Sequence, residues 1–397
     1  MREKFLLFAP PSIGEAEIDA VVDVLKSGWI TTGPKSRELE QAIVDDLGVE
    51  AALAVNSATA ALHLGLAVEG IGPGDAVFTT TMTFCSTVHV IEHLGATPVL
   101  VDVDPDTLNL SPDSLRKAIE KVRTNGEFTP RAVIPVHYGG HPCDMEQLFD
   151  ICRGFGLFLL EDAAHAMPSL YGEKKVGSPL PSGINGMAAF SFYATKNITT
   201  AEGGMLTGSA EQIDRARVLS LHGMSKDAWR RYEKGGTWRY DVISPGFKYN
   251  LSDIHAAIGM AQLSKLPNFA ARRRAIAERY QREFASVSEI ATPIERPGMT
   301  SSWHLFPIRL DLEQVTLSRD EFIVALGERN IGTSVHFIPV HSMSYYRERY
   351  GLTDVDFPVA AQAFDELISL PIYPDMSDDD VSDVIEAVID VVQASAL

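Results

Sequence analysis

The sequence predicts an α/β protein: a large domain with a mainly parallel, seven-stranded sheet, followed by a smaller C-terminal α/β domain. Short apolar runs alternate with helical segments, which is typical of layered α/β domains. Several of these runs lack polar alternation, as do strands that are covered on both faces. We place the large domain at residues 1–250 and the small one at residues 251–397. The seven candidate strands are Ala51–Val55, Ala76–Thr79, Thr97–Val101, Ala132–Val136, Leu157–Leu160, Met187–Phe192 and Gly204–Leu206.

The composition is that of a globular protein, and it bounds the possible partners. The 397 residues are 45% hydrophobic and 22% charged, and the formal net charge is −19. This charge repels phosphate backbones and anionic lipid, so we expect neither nucleic acid nor a membrane as a partner. The three cysteines show no Cys-x-x-Cys spacing, and no apolar run suggests a signal peptide or a membrane span. We therefore expect a soluble, cytoplasmic protein without a metal site.

Two helices are predicted before the first strand, and the loop between them is a candidate ligand contact. Apolar residues recur at helical spacing up to Leu25, and Gly28 ends the first helix. The loop Gly28–Pro34 follows and carries Trp29 and Thr31. Such a segment is either a plain connection between helices, which is the commoner case, or a loop that closes over a ligand.

The first predicted strand ends at Val55, and after Asn56 an alanine-rich helix begins. Free backbone amides at a helix start, with the hydroxyls of Ser57 and Thr59 beside them, form a seat for a phosphate group. The same residues suit an ordinary helix N-cap, so both interpretations stay open. The segment is neither a Gly-x-Gly-x-x-Gly fingerprint nor a Walker loop, which disfavours a dinucleotide fold.

Two charged residues follow buried strands in the middle of the chain. Asp162 ends one apolar run, and Lys196 follows the strand that ends at Phe192. Ligands of parallel sheets bind beyond the carboxyl ends of the strands, where both side chains are predicted. Such a pair suggests an aldehyde cofactor bound by the lysine, with its protonated ring nitrogen against the acid. Alone, the lysine is better explained as a surface charge and the aspartate as a helix cap.

Two further residues near strand ends have a structural and a functional interpretation. Phe84 follows the second strand and is either a core residue or a ring that stacks on a flat cofactor. His165 lies three residues after Asp162 and is either a ligand contact or a buried histidine that is merely hydrogen-bonded.

The C-terminal part begins with a basic segment in an otherwise acidic chain. Lys226 to Lys248 carry six basic and three acidic residues, which suit a solvated loop or a contact with a phosphorylated substrate. A long helix is predicted to start near Asp253. His336 and His341 flank Pro339 with a spacing unlike that of a metal site. Further predicted elements are a strand at His304–Leu310, a helix at Arg319–Glu328, a strand near Thr333–Phe337 and a helix at Asp378–Val392.

Together these segments resemble the DegT/StrS type of fold-type I, pyridoxal-phosphate-dependent (PLP-dependent) nucleotide-sugar aminotransferases, over nearly the whole chain. The pattern is most similar to the branch that aminates 4-keto sugars. Each motif is moderate evidence, whereas the set in this order is strong evidence. The motifs are Gly28–Pro34, Asn56–Leu62, Gly95–Val99 with Asp102, Glu161–Ala166, Phe190–Asn197, Glu202–Met205 and Gly246–Asp253.

The resemblance implies a role for each matching residue. Lys196 matches the Schiff-base lysine and catalytic residue, and Asp162 matches the acid that faces the pyridine nitrogen. Phe84 falls at the stacking ring and His165 beside the cofactor ring. The implied phosphate contacts are Ser57, Ala58, Thr59 and Ser191, with Asn250 reaching the phosphate from the partner subunit, which implies a homodimer with shared active sites. The implied substrate contacts are Trp29, Thr31, His336 and His341.

The implied reaction is transfer of an amino group from L-glutamate to a nucleotide-linked 4-keto sugar. Lys196, once released from the cofactor, would act as a general base at the substrate carbon. Amination of a 3-keto sugar is the alternative within the same family. A catalytically idle relative that serves as a regulator or scaffold is an alternative of another class, which the intact lysine and acid disfavour.

Overall fold

The computed structural model describes residues 2–225 and 240–397 of the chain. Its strands are β1 (Ala51–Val55), β2 (Asp75–Thr80), β3 (Thr97–Val101), β4 (Thr129–Ile134), β5 (Phe158–Asp162), β6 (Leu170–Tyr171), β7 (Lys174–Lys175), β8 (Gly186–Ser191), β9 (Gly204–Gly208), β10 (Ile290–Ala291), β11 (Met299–Thr300), β12 (Phe306–Leu310) and β13 (Leu367–Leu370). Its helices are α1 (Glu15–Ser27), α2 (Pro34–Leu47), α3 (Ala58–Val68), α4 (Ser86–His93), α5 (Pro112–Asn125), α6 (Met145–Phe155), α7 (Ala210–Ser220), α8 (Asp253–Phe284), α9 (Arg319–Glu328), α10 (Ser344–Tyr350), α11 (Pro358–Glu366) and α12 (Asp378–Ser395).

Within the described residues, seven strands form one sheet in the order β1-β9-β8-β5-β4-β2-β3. The strands from β8 to β3 in this order run parallel, whereas β9 is antiparallel to both of its neighbours. These are the seven strands that the sequence predicts, so the mainly parallel sheet is confirmed. Because β5 and β8 are parallel neighbours, the loops after them meet at one edge of the sheet.

Helices cover both faces of this sheet, which explains the apolar character of its strands. On β8, Met187 and Ala189 pack in a core with α3 and α7. Ala188 and Phe190 point to the opposite face, where they pack with α2 and α8. On β5, Leu160 joins the first core, while Leu159 packs with α5 and α6. Alternate residues of one strand therefore pack in two different cores, one on each face of the sheet.

A second, three-stranded antiparallel sheet, β10-β12-β13, lies in the C-terminal region. Phe306 of β12 packs there in one core with Tyr280 of α8 and with residues of α9 and α12. Leu6, from the start of the chain, joins this core, and its N–H donates to the carbonyl of Asn330 at 2.8 Å. The boundary at residue 250 stays a prediction. Among the described residues, none of the helices combines the length and hydropathy that crossing a membrane requires.

The strand predicted near Thr333–Phe337 does not form, and this prediction is wrong. In that segment only Ser334 pairs with a strand, through Ser369 of β13. The carbonyl of His336 accepts a hydrogen bond from the hydroxyl of Tyr138 instead. Since the backbone leaves the sheet after Ser334, the residues Val335, His336 and Phe337 become part of a cavity wall.

Candidate active site

A cavity of about 570 Å³ opens beyond the carboxyl ends of β5 and β8. Side chains from both regions of the chain line it. The lining residues include Phe8, Ser57, Ala58, Thr59, Thr83, Phe84, Asp162, His165, Ser191, Tyr193, Lys196, Glu202, His304, His336 and Phe337. Nine of the residues that the sequence singles out are therefore brought together here: Ser57, Ala58, Thr59, Phe84, Asp162, His165, Ser191, Lys196 and His336.

Lys196 and Asp162 provide the two charges of the cavity that matter most for its chemistry. Asp162 is buried at the end of β5, and Lys196 is half-buried in the loop after β8. Burial lowers the pKa of Lys196 to about 8, and the negative charge of Asp162 opposes this effect. Burial raises the pKa of Asp162, while hydrogen bonds from Thr87 and from the N–H of Ala164 lower it. A lysine with such a pKa supplies a neutral amine near physiological pH.

The start of α3 forms a concave seat of backbone amides. Ser57 is the N-cap, and its hydroxyl accepts a hydrogen bond from the N–H of Ala60 at 3.1 Å. Within the described chain, the N–H groups of Ala58 and Thr59 have no acceptor, as expected in a first helical turn. A Cβ on Gly204 would lie 2.6 Å from the nitrogen of Ala58, so only glycine lets β9 approach this seat. The seat suits an anion such as a phosphate group.

Aromatic rings stand around the cavity mouth. Phe84 is 59% exposed although it follows a buried strand, so it is not a core residue. Its ring centroid lies 6.4 Å from that of Phe337, which comes from the C-terminal region. An exposed ring at the wall of a cavity offers its face to a flat ligand.

Three histidines line the same cavity, and their neighbours fix two of the tautomers. Nδ1 of His165 accepts a hydrogen bond from the N–H of Gly139 at 3.3 Å, which leaves its proton on Nε2. Nδ1 of His304 lies 3.1 Å from Oδ1 of Asn197, whose amide nitrogen donates to backbone carbonyls. His304 therefore donates from Nδ1 and has a lone pair on Nε2.

All three imidazoles are neutral at physiological pH. Burial, with the nearby charge of Lys196, lowers the pKa of His336 to about 4. Burial also holds the pKa values of His165 and His304 well below the ordinary value. The cavity therefore holds one titrating amine among neutral hydrogen-bonding rings.

Three predicted site residues lie together, but outside this cavity. Nδ2 of Asn250 donates to the hydroxyl of Thr32 at 2.7 Å. Trp29 is 45% exposed in the same α1–α2 loop, and its indole N–H donates to the carbonyl of Thr32. Thr31 is exposed, and its carbonyl accepts a hydrogen bond from the N–H of Asp253 at the start of α8. The α1–α2 loop and the segment before α8 thus form one unit.

His341 is also placed outside the cavity, and the structure does not support its predicted contact with substrate. Its ring is buried, stacks on Phe357 and has Nδ1 2.7 Å from Oγ1 of Thr81. His341 lies in the short helical turn Val340–Ser342 and is not among the residues that line the cavity. Of the basic segment at Lys226–Lys248, residues 226–239 lie outside the described residues.

Several residues that line the cavity were not predicted from the sequence, because no local motif marks them. Phe8, His304 and Phe337 reach the cavity from segments far apart in the chain. Thr83 directly precedes Phe84, and Thr87 follows it by three residues, so both could have been suspected from their positions alone. Thr87 is buried behind the cavity, and its hydroxyl donates to Oδ2 of Asp162 at 2.8 Å.

The residues present fit pyridoxal 5'-phosphate. The amides of Ala58 and Thr59 suit its phosphate, the exposed ring of Phe84 suits a flat heterocycle, and Asp162 suits a protonated ring nitrogen. Lys196 is the amine that can bind an aldehyde.

Comparisons with known proteins agree with this geometry. A model of the DegT/DnrJ/EryC1/StrS aminotransferase family matches residues 11–389. The spore coat polysaccharide biosynthesis protein SpsC of Bacillus subtilis (strain 168) is 48% identical over 398 residues, which cover 99% of each protein. Spr1654 of Streptococcus pneumoniae in its PMP form superposes with a TM-score of 0.87 at 36% identity, covering 98% of both chains, and its PLP form gives the same score. PseC of Helicobacter pylori, an aminotransferase involved in pseudoaminic acid biosynthesis, has a TM-score of 0.87 at 28% identity and covers 99% of this chain and 100% of its own.

Proposed function

The chain belongs to the DegT/DnrJ/EryC1/StrS aminotransferase family and is a PLP-dependent sugar aminotransferase of fold type I, and we propose that it transfers the amino group of L-glutamate to C4 of a nucleotide-linked 4-keto sugar. The observation that carries the proposal is the convergence of Lys196 and Asp162 on one cavity, beside the amide seat of α3. The products would be a 4-amino sugar nucleotide and 2-oxoglutarate.

Each protein group has a definite task in this reaction. PLP, when bound, supplies the electron sink that a carbanion next to nitrogen requires. Asp162 would hold the proton on the ring nitrogen, since an ionised carboxylate favours the charged ring. Nζ of Lys196 would take the proton from the α-carbon of the amino donor. Its pKa of about 8 keeps a useful fraction of the amine neutral near physiological pH.

The remaining site residues would bind and orient. The N–H groups of Ala58 and Thr59, with the hydroxyls of Ser57 and Ser191, would hold the phosphate. Phe84 would cover one face of the ring. His165 would donate from Nε2, because its Nδ1 is occupied by Gly139. These contacts fix the cofactor while Lys196 is detached from it.

Two similarities support the choice of substrate. The segments Gly28–Pro34 and Leu370–Met376 resemble the branch of the family that acts on 4-keto sugars. SpsC is named for polysaccharide biosynthesis and PseC for pseudoaminic acid biosynthesis, and both names support a saccharide product. His336, which lines the cavity from the C-terminal side, is the proposed sugar contact of this chain.

We further propose a homodimer in which each protomer completes the other's site. Asn250, Trp29 and Thr31 have predicted ligand contacts, yet they lie together outside the cavity of their own chain. Close by in sequence, α1 exposes Ile18, Val22 and Leu25 at helical spacing. Exposed apolar residues in a row are typical of a surface that another subunit covers. We expect the enzyme in the cytoplasm, because Cys85, Cys143 and Cys152 are all free.

Incubation of the holoenzyme with L-glutamate and a panel of UDP-, dTDP- and GDP-linked keto sugars tests the proposal. We expect the visible absorbance of the holoenzyme to bleach with glutamate and to return when the correct 4-keto sugar is added. Mass spectrometry should then show an aminated sugar nucleotide. Turnover of 3-keto sugars alone would favour the alternative specificity. A coloured protein that neither bleaches nor turns over any sugar would contradict the proposal.

A further inference from the structure

We propose that Thr87 is a positioning residue for the amino transfer: its hydroxyl fixes the carboxylate of Asp162 as an anion aimed at the cavity, and Thr83 in turn fixes the hydroxyl of Thr87. The proposal rests on the role of Asp162 in the proposed function. It extends that role to two buried hydroxyls that do not touch the reacting atoms.

Thr83 lies in the connection between β2 and α4, and Thr87 lies in the first turn of α4. Thr87 and Thr83 are each 1% exposed, and Asp162 is 4% exposed. Oγ1 of Thr87 lies 2.8 Å from Oδ2 of Asp162, and Oγ1 of Thr83 lies 2.9 Å from Oγ1 of Thr87. The three groups therefore form a line that leads from Thr83 to the acid.

Proton counting gives this line a direction. A hydroxyl has a single proton, and an ionised carboxylate only accepts, so Thr87 must donate its proton to Asp162. The hydroxyl of Thr87 can then only accept from Thr83, which is the donor of the pair. Donors in series polarise one another, and the bond to the carboxylate is strengthened by the charge that it meets.

The second carboxylate oxygen and the backbone of Asp162 are also hydrogen-bonded. Oδ1 accepts a hydrogen bond from the N–H of Ala164 at 3.2 Å. The backbone N–H of Asp162 donates to the carbonyl of Pro135, and the backbone carbonyl of Asp162 accepts a hydrogen bond from the N–H of His137. Each carboxylate oxygen thus has one protein donor, and the carboxylate keeps further lone pairs for a group in the cavity.

The charge state of Asp162 depends on these donors. Burial alone favours the protonated acid, and the hydrogen bond from Thr87 is the largest of the opposing effects. A protonated Asp162 could not stabilise a positive charge on a ring nitrogen. Phe84, which lines the cavity, lies between Thr83 and Thr87 in the sequence. The short segment Thr83–Thr87 therefore presents a ring to the face of the ligand and orients the acid at its edge.

The test compares the holoenzyme with its Thr87→Val, Thr87→Ser and Thr83→Val variants. Valine keeps the shape of threonine and removes the hydroxyl, whereas serine keeps the hydroxyl. Each protein is loaded with PLP that carries ¹⁵N in the pyridine ring, and the ¹⁵N chemical shift reports whether the ring nitrogen is protonated. The rate constant of the bleaching reaction with L-glutamate is the second measurement.

We expect Thr87→Val to move the ¹⁵N resonance towards the unprotonated position and to slow bleaching by roughly 10- to 100-fold, the range for one lost hydrogen bond to a charge. Thr87→Ser should restore both values. Thr83→Val should move the ¹⁵N resonance in the same direction by a smaller amount, and it should slow bleaching by less than about tenfold. This variant weakens the hydrogen bond from Thr87 to Asp162 without removing it. If Thr87→Val does not fold, Thr83→Val decides in the same way.

A wild-type ¹⁵N resonance together with a wild-type rate of bleaching in the valine variants would overturn the proposal. Thr87 would then only provide a hydrogen bond to the buried carboxyl group of Asp162, without effect on the reaction. The ¹⁵N measurement needs no sugar and no amino donor. An enzyme that shows the expected shift but aminates no 4-keto sugar would therefore contradict the proposed function and support this inference.

Discussion

Nδ2 of Asn250 lies 2.7 Å from Oγ1 of Thr32, so the segment before α8 is bound to the α1–α2 loop. The hydroxyl of Thr32 in turn donates to the carbonyl of Leu251. Asp253 continues this contact, because its carboxylate accepts hydrogen bonds from the N–H groups of Gly33 and Ser36 at the start of α2. A single surface unit thus presents Asn250, and we propose that it serves the cavity of a second chain.

Mixing two inactive variants tests this shared site. Lys196→Ala removes the amine from the cavity of its own chain, whereas Asn250→Asp places a negative charge against the phosphate in the cavity of the partner chain. In a mixed dimer both changes affect the same site, so the second site is intact. We expect each variant alone to be inactive and a refolded equimolar mixture to recover roughly a quarter of the wild-type activity, as two-fold symmetry requires. No recovery, with mixed dimers present in native mass spectra, would show that each chain supplies its own Asn250.

Lys196→Ala alone should reduce amino transfer by at least about two to four orders of magnitude, because the variant lacks the proposed general base. Lys174→Ala is the matched control, since Lys174 is exposed and lies outside the cavity. It should keep the wild-type rate. The rate is measured as 2-oxoglutarate released from L-glutamate in the presence of the accepted sugar. A Lys196→Ala enzyme with undiminished activity would contradict the mechanism.

The pKa of Lys196 makes the stability of the apoprotein depend on pH. The pKa is about 8 in the folded chain and 10.5 for an ordinary lysine, so the unfolded chain binds more protons between these values. The free energy of unfolding should therefore rise with pH in this window, relative to Lys196→Met. We expect a relative gain of roughly 1–2 kcal/mol between about pH 7.5 and 9.5, measured by urea unfolding. A difference that is constant or falls with pH would mean that the folded chain does not lower the pKa of Lys196.

Phe84→Ala should weaken the binding of PLP by roughly two- to tenfold, the range for one lost aromatic contact. Absorbance titration of the apoprotein with PLP measures this. Tyr345→Ala is the control, because Tyr345 is an exposed aromatic residue that does not line the cavity. Equal affinities of the two variants would argue against a stacking role for Phe84.

Much of the sheet could be predicted from local pattern, since each strand is apolar, short and bounded by turns. The loops after parallel strands also placed Asp162 and Lys196 at one edge, as found. The role of Phe84 could not be decided in this way, because an aromatic residue after a buried strand is as compatible with a core position as with a contact to a ligand. Only the structure shows it to be exposed at the cavity.

The contacts that cross the fold were beyond prediction. Thr333–Phe337 has the composition of a strand, but a hydrogen bond from Tyr138, almost 200 positions earlier in the chain, holds the carbonyl of His336 outside the sheet. Thr87 meets Asp162 only because the fold brings the start of α4 to the carboxyl end of β5, and no local pattern encodes that contact. The family resemblance implies a substrate contact for His341, yet its ring is buried in the short helical turn Val340–Ser342, outside the cavity.

The most direct test of the central claim uses ¹⁵N-labelled L-glutamate and the nucleotide-linked 4-keto sugar that the enzyme accepts. NMR of the purified product shows which carbon carries the label. We predict ¹⁵N at C4, together with an equimolar amount of 2-oxoglutarate. Label at C3, or an aminated product without label, would contradict the proposed reaction.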